Sequence, residues 1–515
     1  MLLKEIVESI DVDRIVAERG DIEVRGISYH SEGVKKGDIF FALPGTKTHG
    51  WYYIREAVER GAVAVVVPTG ADEDEISKYN VPTIIVKDIR KTLIEISEML
   101  FPYPKDKVRV IGVTGTNGKT TVTYLLESIL LAAGHVPGVI GTIGVRWKDN
   151  ILPSPMTTPE VCELQYFLHR MFMDGVDTVA MEVSSHALSQ HRVDDIHFDI
   201  AIFTNLTRDH LDYHGTMEEY FKAKFRLFEL LKASEKPRKI AIVNVDDEHG
   251  KRIVEALVSC KEVELATYGM SEGDYRAEVR TIDVEGIEFD ILESSGNKVR
   301  VSSHLIGLHN VYNIISAFIA AKKLNIAEKD IVRGIRNLRG VPGRLEKVDV
   351  GQDFTVVVDY AHTDDALENV LTTLSKLPHN RLITIFGCGG DRDRGKRPIM
   401  GRKSVLLSDY VIVTSDNPRT EPAGKIIEEI LVGIKETGRD NYKVIIDRKE
   451  AISYGINMAM KGDIVLIAGK GHENYQIIGT ARIPFDDRAV AREILSNRMR
   501  YEKIVANKNS NTWSR

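Results

Sequence analysis

The sequence has few cysteines, no long apolar runs and no excess of positive charge, and each shortage removes a class of protein. Its three cysteines, Cys162, Cys260 and Cys388, lie far apart with no C-x-x-C pair. That excludes a disulfide framework and a structural zinc site and leaves reduced thiols. Runs such as "AVAVVVP" and "VIVT" fall far short of the roughly 20 apolar residues of a membrane helix and read as buried strands. The opening stretch "MLLKEIVESIDVDRIVAERG" mixes acids into its apolar residues and has no cleavage site. It is therefore no secretory signal, and a cytoplasmic protein without membrane insertion is expected. A net charge of -6 and a pI near 6.2 argue against a nucleic-acid partner, which calls for a basic excess. There is no solenoid-like repeat and no low-complexity tract.

What is present is a long chain of ordinary globular composition. At 515 residues it exceeds a single hydrophobic core and suggests three domains. Its 43% hydrophobic and 28% charged residues are the mix of a folded soluble chain. Residues 1–104 form a small mixed α/β unit, with strands at "GDIFFALPG", "GAVAVVVP" and "VPTIIVKD" and a boundary at "FPYPKDK". Residues 105–340 alternate apolar strands and helices, the signature of a mainly parallel sheet covered by helices. Short alternating strands between about Tyr275 and Ile306 add an antiparallel part before a helix near Asn310. After the linker Gly340 to Gly343, residues 341–500 restart the alternation as a second, Rossmann-like α/β domain, and 501–515 read as a loose tail. The fold class is thus α/β in three domains.

"VTGTNGKTT" (113–121) carries the chemistry of the central domain. The usual phosphate loop wants glycine six residues before its lysine; here that position is Val113 and the glycine is Gly115. A strand precedes it and a helix follows. Gly115 and Gly118 let backbone approach a phosphate, Thr116, Asn117 and Thr121 complete the loop, Lys119 reaches the outer phosphates and Thr120 a magnesium ion. The site is that of ATP. Glycines alone would make only a capping turn; Lys-Thr-Thr in this context makes a nucleotide site.

Two further segments end apolar strands with ligand-type side chains, "MEVSSHALSQHRV" (181–193) and "TNLTRDHLDYHG" (204–215). Side chains at strand C-termini face the ligand crevice of open α/β sheets, so Glu182 and His210 are expected near the magnesium-bound phosphates. In the last domain, "GCGGDRDRGKRP" (387–398), "SDNPRTEP" (415–422) and "AGKGHENYQ" (468–476) hold equivalent strand ends. Arg394 and Lys396 read as solvated, whereas Arg392, Arg419 and Glu473 can form a pocket in which two guanidinium groups and a carboxylate take a zwitterion such as an amino acid.

Nine motifs, "TGTNGKTT", "TTPE", "EVSSHAL", "TNLTRDHLDYHGTMEEYFKAK", "GLHNVYN", "GRLE", "DYAHT", "DNPR" and "GKGHE", stand in the order of the Mur ligases. From about Gly26 to Arg492 the chain resembles that family, and within it the MurE type. The resemblance implies an ATP-dependent, amide-forming ligase of peptidoglycan precursor synthesis. In it the γ-phosphate activates the D-glutamate γ-carboxyl of UDP-N-acetylmuramoyl-L-alanyl-D-glutamate as an acyl phosphate, which the amine of meso-diaminopimelate attacks. It further implies that Thr120 and Glu182 hold one magnesium and His210 with Lys224 a second, Lys224 being carbamylated; read without the family, Lys224 is an ordinary exposed helix residue. Asn310, Arg344 and Asp359 complete the nucleotide contacts.

Ser31 and the Thr46 to Gly50 loop are implied at the uridine end of the UDP-sugar, with Thr157, Thr158, Ser184, Gln190 and Arg192 nearer the reaction. Asp416, Asn417, Pro418, Arg419, Arg392, Gly469 and Glu473 are implied for diaminopimelate. Two departures stand out: the family's "DSR" is "HSE" at His30 to Glu32, so only Ser31 transfers, and Asp364 replaces proline in "YAHTDD", a change at a helix start. Lysine in place of diaminopimelate, a folylpolyglutamate synthase and a non-catalytic nucleotide switch are the alternatives, with "DNPR" and "GKGHE" against the folylpolyglutamate enzyme. Partners are small molecules, and a monomer is expected.

Overall fold

The computed structural model describes all residues except 17–20, 45–48, 73–75 and 513–515. Packing divides the chain into two compact units, Met1–Lys119 with Gly134–Ile242 and Arg252–Leu265, and Thr120–Ala133 with Val243–Lys251 and Ala266–Arg515.

In the first unit, strands Arg14–Val16, Thr83–Val86, Ala64–Pro68, Asp38–Phe41 and Gly26–Ser28 lie side by side in that order, parallel except the first. Helix Ile89–Leu100 buries Ile89, Leu93 and Ile96 against them, the spacing that keeps one helical stripe apolar. Asp88 caps that helix by accepting the Arg90 and Lys91 N–H groups at 3.1 and 3.0 Å. These strands and this helix mix α and β as the sequence led one to expect of that stretch. A second sheet in this unit places Ile200–Phe203, Arg109–Thr114, Thr178–Glu182 and Pro137–Gly141 next to one another, all parallel. The strands Gly144–Trp147 and Asn150–Leu152 extend its edge antiparallel. Register decides where the chemistry lies: Glu182 pairs with Val113 and Phe203 with Thr114. Three strands thus end level, and the loops that follow them open at one edge.

In the second unit, Tyr275–Asp283, Gly286–Glu293 and Lys298–Ser303 make the antiparallel addition expected there, followed by helix His309–Lys323. The last sheet runs Glu346–Lys347, Thr355–Asp359, Ile464–Ala468, Leu382–Phe386, Tyr410–Val413 and Tyr442–Val444, parallel except at the first pair. Its four central strands are mainly apolar because both faces are covered. Ile464, Leu466 and Ala468 pack with helices Asp364–Ser375, Lys396–Leu407 and Ala423–Lys435, while Val465 and Ile467 face Arg448–Met458 and Asp487–Thr512. Period-two alternation between two cores is the mark of a doubly covered sheet. Asp364 is indeed the first residue of its helix, capped by Thr363. The final helix runs to Thr512, where a loose tail was expected from 501.

Candidate active site

At the end of strand Arg109–Thr114 the chain turns through Gly115 and Gly118, at φ 147° and 91°. Gly115 has no room for a side chain: a Cβ there would lie 1.9 Å from Thr204 Oγ1. The loop is braced by its neighbour. Thr116 N–H donates to the Asn205 carbonyl at 2.8 Å, Asn117 N–H to Asn205 Oδ1 at 3.0 Å, and Thr204 Oγ1 to the Asn117 carbonyl at 2.6 Å. Thr116 Oγ1 also lies 3.2 Å from the Tyr220 hydroxyl. Thr204, Asn205 and Tyr220 thus shape the loop without having been singled out in the sequence, although all three lie in the motif "TNLTRDHLDYHGTMEEYFKAK". Thr120 and Thr121 are buried in the first turn of helix Lys119–Ala132.

Two lysines meet on one oxygen. Lys119 Nζ donates to the carbonyls of Gly115 and Thr116 at 2.8 and 2.9 Å, and Lys224 Nζ donates to the same Gly115 carbonyl at 2.8 Å. Lys224 is 1% exposed, which corrects the expectation of an exposed helix residue. Helix Met217–Ala233 buries Tyr220, Phe221, Lys224, Leu227, Phe228 and Leu231 on one stripe, and position 224 belongs to it. Burial, with Lys119 second, holds the Lys224 amine well below the usual lysine range.

Glu182 is buried at the end of its strand. Its carboxylate accepts the Thr142 N–H and hydroxyl, both at 3.0 Å, in space that Gly141 leaves open, since a Cβ on Gly141 would sit 2.3 Å from Glu182 Oε1. His210, at φ 52°, precedes the short helix Leu211–His214 and stands edge-on to His186 at 4.9 Å. Burial lowers its basicity, and His186 falls to about 4 through burial and its histidine neighbours. Among the described residues no group of three or more His, Cys, Asp or Glu side chains is placed to hold a metal ion.

The residues assigned from the sequence to the sugar peptide fall into two places in the first unit. Ser31 Oγ donates to Glu56 Oε2 at 2.7 Å, while residues 45–48, most of the loop expected with it, lie outside the described residues. Thr157, Thr158, Ser184, Gln190 and Arg192 are linked. Thr158 Oγ1 donates to the Glu182 carbonyl at 2.8 Å and accepts the Ser184 N–H at 3.0 Å. Thr157 lies 3.0 Å from the Thr142 hydroxyl. Arg192 donates to the Thr158 carbonyl at 3.0 Å, to Gln190, and pairs with buried Glu160 at 2.9 Å. Glu160, in "TTPE", was quoted in a motif without a role.

In the second unit Asp359 ends its strand buried, its oxygens accepting the Leu345 and Ala361 N–H groups at 2.8 Å each, and burial raises its carboxyl above the ordinary range. The Arg344 guanidinium sits 5.4 Å over the Tyr360 ring. Asn310 is buried in its helix and donates to the Ile306 carbonyl at 2.8 Å.

The "DNPR" and "GKGHE" segments, which follow strands Tyr410–Val413 and Ile464–Ala468 on either side of Leu382–Phe386, come together at the same sheet edge. Asn417 Nδ2 donates to Glu473 Oε2 at 2.9 Å, and fully buried Lys470 donates to that same oxygen and to Asn417 Oδ1, both at 3.1 Å. A Cβ on Gly469 would lie 2.6 Å from Asp416 Oδ2. Arg419 Nη1 donates to the Gly390 carbonyl at 2.8 Å, and a Cβ on Gly389 would lie 2.9 Å from Arg419 Nη1 and 3.9 Å from Arg392 Cγ. The two arginines therefore flank one glycine, with Pro418 between Asn417 and Arg419 in the chain. Arg394 is 65% exposed and pairs with Glu421 at 3.0 Å. Arg397 differs from its neighbours in being fully buried between Glu421 and Glu429, at 2.8 Å from each. Lys470 is the buried charge that sequence inspection passed over.

Comparison with known proteins agrees with this geometry. Family models match residues 23–99 (Mur ligase family, catalytic domain), 113–321 (Mur ligase middle domain) and 343–471 (Mur ligase, glutamate ligase domain). The chain is 45% identical over 511 residues to a protein of Geobacter sulfurreducens named UDP-N-acetylmuramoyl-L-alanyl-D-glutamate--2,6-diaminopimelate ligase, covering 95% of this chain and 98% of that one. It is 46% identical over 484 residues to the protein of that name from Geobacter metallireducens, covering 91% and 93%. A solved structure of a ligase of that name aligns with TM-score 0.66 and 35% identity over 97% of this chain and 99% of that one. The chain, an α/β protein of three successive domains, belongs to the Mur ligase family.

Proposed function

We propose that this chain joins meso-diaminopimelate to the D-glutamate γ-carboxyl of UDP-N-acetylmuramoyl-L-alanyl-D-glutamate at the expense of ATP, through an acyl phosphate. One observation carries the reading: Arg392 and Arg419 flank one glycine beside a strand end from which Asn417 reaches Glu473. Diaminopimelate differs from lysine by one terminal carboxylate. Paired guanidinium groups bind that carboxylate through charged hydrogen bonds, and Glu473 with the Gly469 carbonyl takes the ammonium beside it. Membership of the Mur ligase family, with close relatives named for this substrate, supports it.

A carboxylate is a poor acyl donor because its leaving group is oxide. Phosphorylation replaces oxide with phosphate; the amine then attacks the acyl carbon, the C–O bond to phosphate breaks, and the amine proton is lost to form the amide. Lys119 and the loop N–H groups draw the γ-phosphate toward the acid. Thr120 and Glu182 offer the hard oxygen ligands that magnesium favours, and the space left by Gly141 is what lets Glu182 present them. Magnesium, when bound, neutralises the two anions that must meet. An ammonium cannot ligate a cation, so Lys224 acts with His210 only once its amine has added carbon dioxide, forming an N–C bond and releasing a proton. Its burial and its place beside Lys119 suit that modification. Asn310, Arg344 and Asp359 hold the nucleoside, and Ser31, Thr157, Thr158, Ser184, Gln190 and Arg192 the sugar peptide. The chain works on these small molecules in the cytoplasm as a monomer.

The test is ligation assayed with diaminopimelate isomers and lysine side by side, each with ATP and the sugar peptide. Amide formation with meso-diaminopimelate alone is expected. Equal use of lysine, or nucleotide hydrolysis that proceeds without the cosubstrates, contradicts the reading.

A further inference from the structure

A hairpin that starts at the end of the "AGKGHENYQ" segment contacts three of the four "DNPR" residues. Strands Tyr475–Ile478 and Ala481–Pro484 form a two-stranded antiparallel sheet, and the second of them is exposed along its length. The first strand buries one residue. Gln476 is buried, and its Nε2 donates to the Asp416 carbonyl at 2.6 Å and to Ser415 Oγ at 3.2 Å. The Ile477 N–H donates to Asn417 Oδ1 at 2.9 Å. Arg419 is held at both backbone groups: its N–H donates to the Ile477 carbonyl at 3.0 Å, and its carbonyl accepts the Gly479 N–H at 2.7 Å. The Arg482 guanidinium stacks 3.6 Å over the Tyr475 ring and ties the two strands together.

These bonds fall where the backbone most needs them. Arg419 has φ 53°, a left-handed conformation that a residue with a side chain disfavours. Strained backbone persists only where surrounding bonds over-determine it. Without the hairpin, Arg419 would relax toward an ordinary conformation and its guanidinium would leave Gly389 and Gly390. We infer that Gln476, through the hairpin it anchors, is a positioning residue that sets Arg419 for the second carboxylate of the amino-acid substrate. It touches no substrate. The inference rests on the diaminopimelate reading of this pocket, and its test separates the two.

Steady-state kinetics on the full chain with diaminopimelate and with lysine would compare Gln476→Met, Arg419→Ala and the double variant. Methionine keeps the length of glutamine and removes the donor. Gln476→Met is expected to raise the KM for diaminopimelate about tenfold, the consequence of one buried carbonyl losing its partner, with kcat within about twofold, the KM for ATP unchanged, and the preference over lysine reduced by a similar factor. In the Arg419→Ala background it should add less than about twofold, because the residue it positions is gone. If Arg419→Ala destroys the preference while Gln476→Met leaves KM unchanged, or acts in full on top of Arg419→Ala, the inference is overturned and the pocket reading stands. If Arg419→Ala itself leaves the preference intact, both fall. Should Gln476→Met fail to show a cooperative thermal transition, Gln476→Glu, of the same shape but without the amide donor, takes its place with the same expected and overturning results.

Discussion

At the phosphate loop two lysine side chains, Lys119 and Lys224, converge on the single carbonyl of Gly115, whereas in the "DNPR" pocket the buried cations already face carboxylates. Lys470 meets Glu473 at 3.1 Å, and Arg448 meets Asp487 at 2.7 Å with both side chains fully buried. Both regions sit at strand C-termini and both loops are braced by a neighbouring segment, so the difference lies in charge and not in architecture. The first region holds Lys119 beside the N–H groups of its loop, and under the proposed function it receives a polyanion, the triphosphate. The second is balanced internally, and under the proposed function it discriminates by where Arg392 and Arg419 stand. Pulling a ligand in and choosing among similar ligands are separate tasks, and the proposed function gives them to separate loops.

Removing the selector should have the largest effect. Arg419→Ala is expected to lower the preference for diaminopimelate over lysine by up to about 10⁴-fold, the scale on which a site built around a polar group rejects a ligand lacking it. ATP binding, followed by calorimetry, should be retained; a parallel loss there would erase the division between the regions. Altering the other side, Lys224→Ala should reduce ligation by roughly 10²- to 10³-fold, as loss of one key electrostatic group does. Small carboxylates added to the assay should restore part of the rate, and full activity without them would remove Lys224 from the site.

A stability measurement sharpens the claim of balanced charge. Arg448 donates to the Ser415 and Ala468 carbonyls at 3.2 and 3.0 Å as well as to Asp487. Arg448→Met should cost about 3–5 kcal/mol in urea unfolding because it strands a buried carboxylate. Pairing it with Asp487→Leu should recover part of that, the remainder being two strand-end carbonyls without a donor. The smallest effect is expected away from both regions, at Asp195. Burial, then the hydrogen-bonded Glu98, push its carboxyl up to about 7 despite Lys105 at 3.2 Å. A raised carboxyl favours the folded state below its ordinary value near 4 and loses that contribution as pH rises through about 7. The loss of stability between pH 5 and 8 should therefore be shallower in Asp195→Asn, as measured by thermal melts.

How much of this could be read from the sequence depended on whether a residue's role is local. The phosphate loop was legible because strand, glycine turn and Lys-Thr-Thr adjoin in the chain. So was the last sheet, whose strands are apolar on both faces and recur between helical segments. Lys224 was not, because a lysine among Glu218, Glu219 and Lys222 has the composition of a solvated helix; only its place on the stripe from Tyr220 to Leu231 shows that it is inside. Nor was Arg397, which stands in the charge run "DRDRGKRP" although a helix start turns it inward. Gln476 lies at the end of a quoted motif, but its partner, Asp416, is 60 residues away, and a side chain that bonds a distant backbone leaves no pattern in the chain.

Gly141 shows how little bulk the catalytic region tolerates. The distance from its absent Cβ to Glu182 Oε1, 2.3 Å, is shorter than any real contact of that kind. A single added methyl would have to evict the carboxylate or bend the strand that carries it. A residue with no functional group of its own thereby governs whether an acid is held ready, and an inhibitor or mutation that crowds this one spot would act on the chemistry without touching a charged atom.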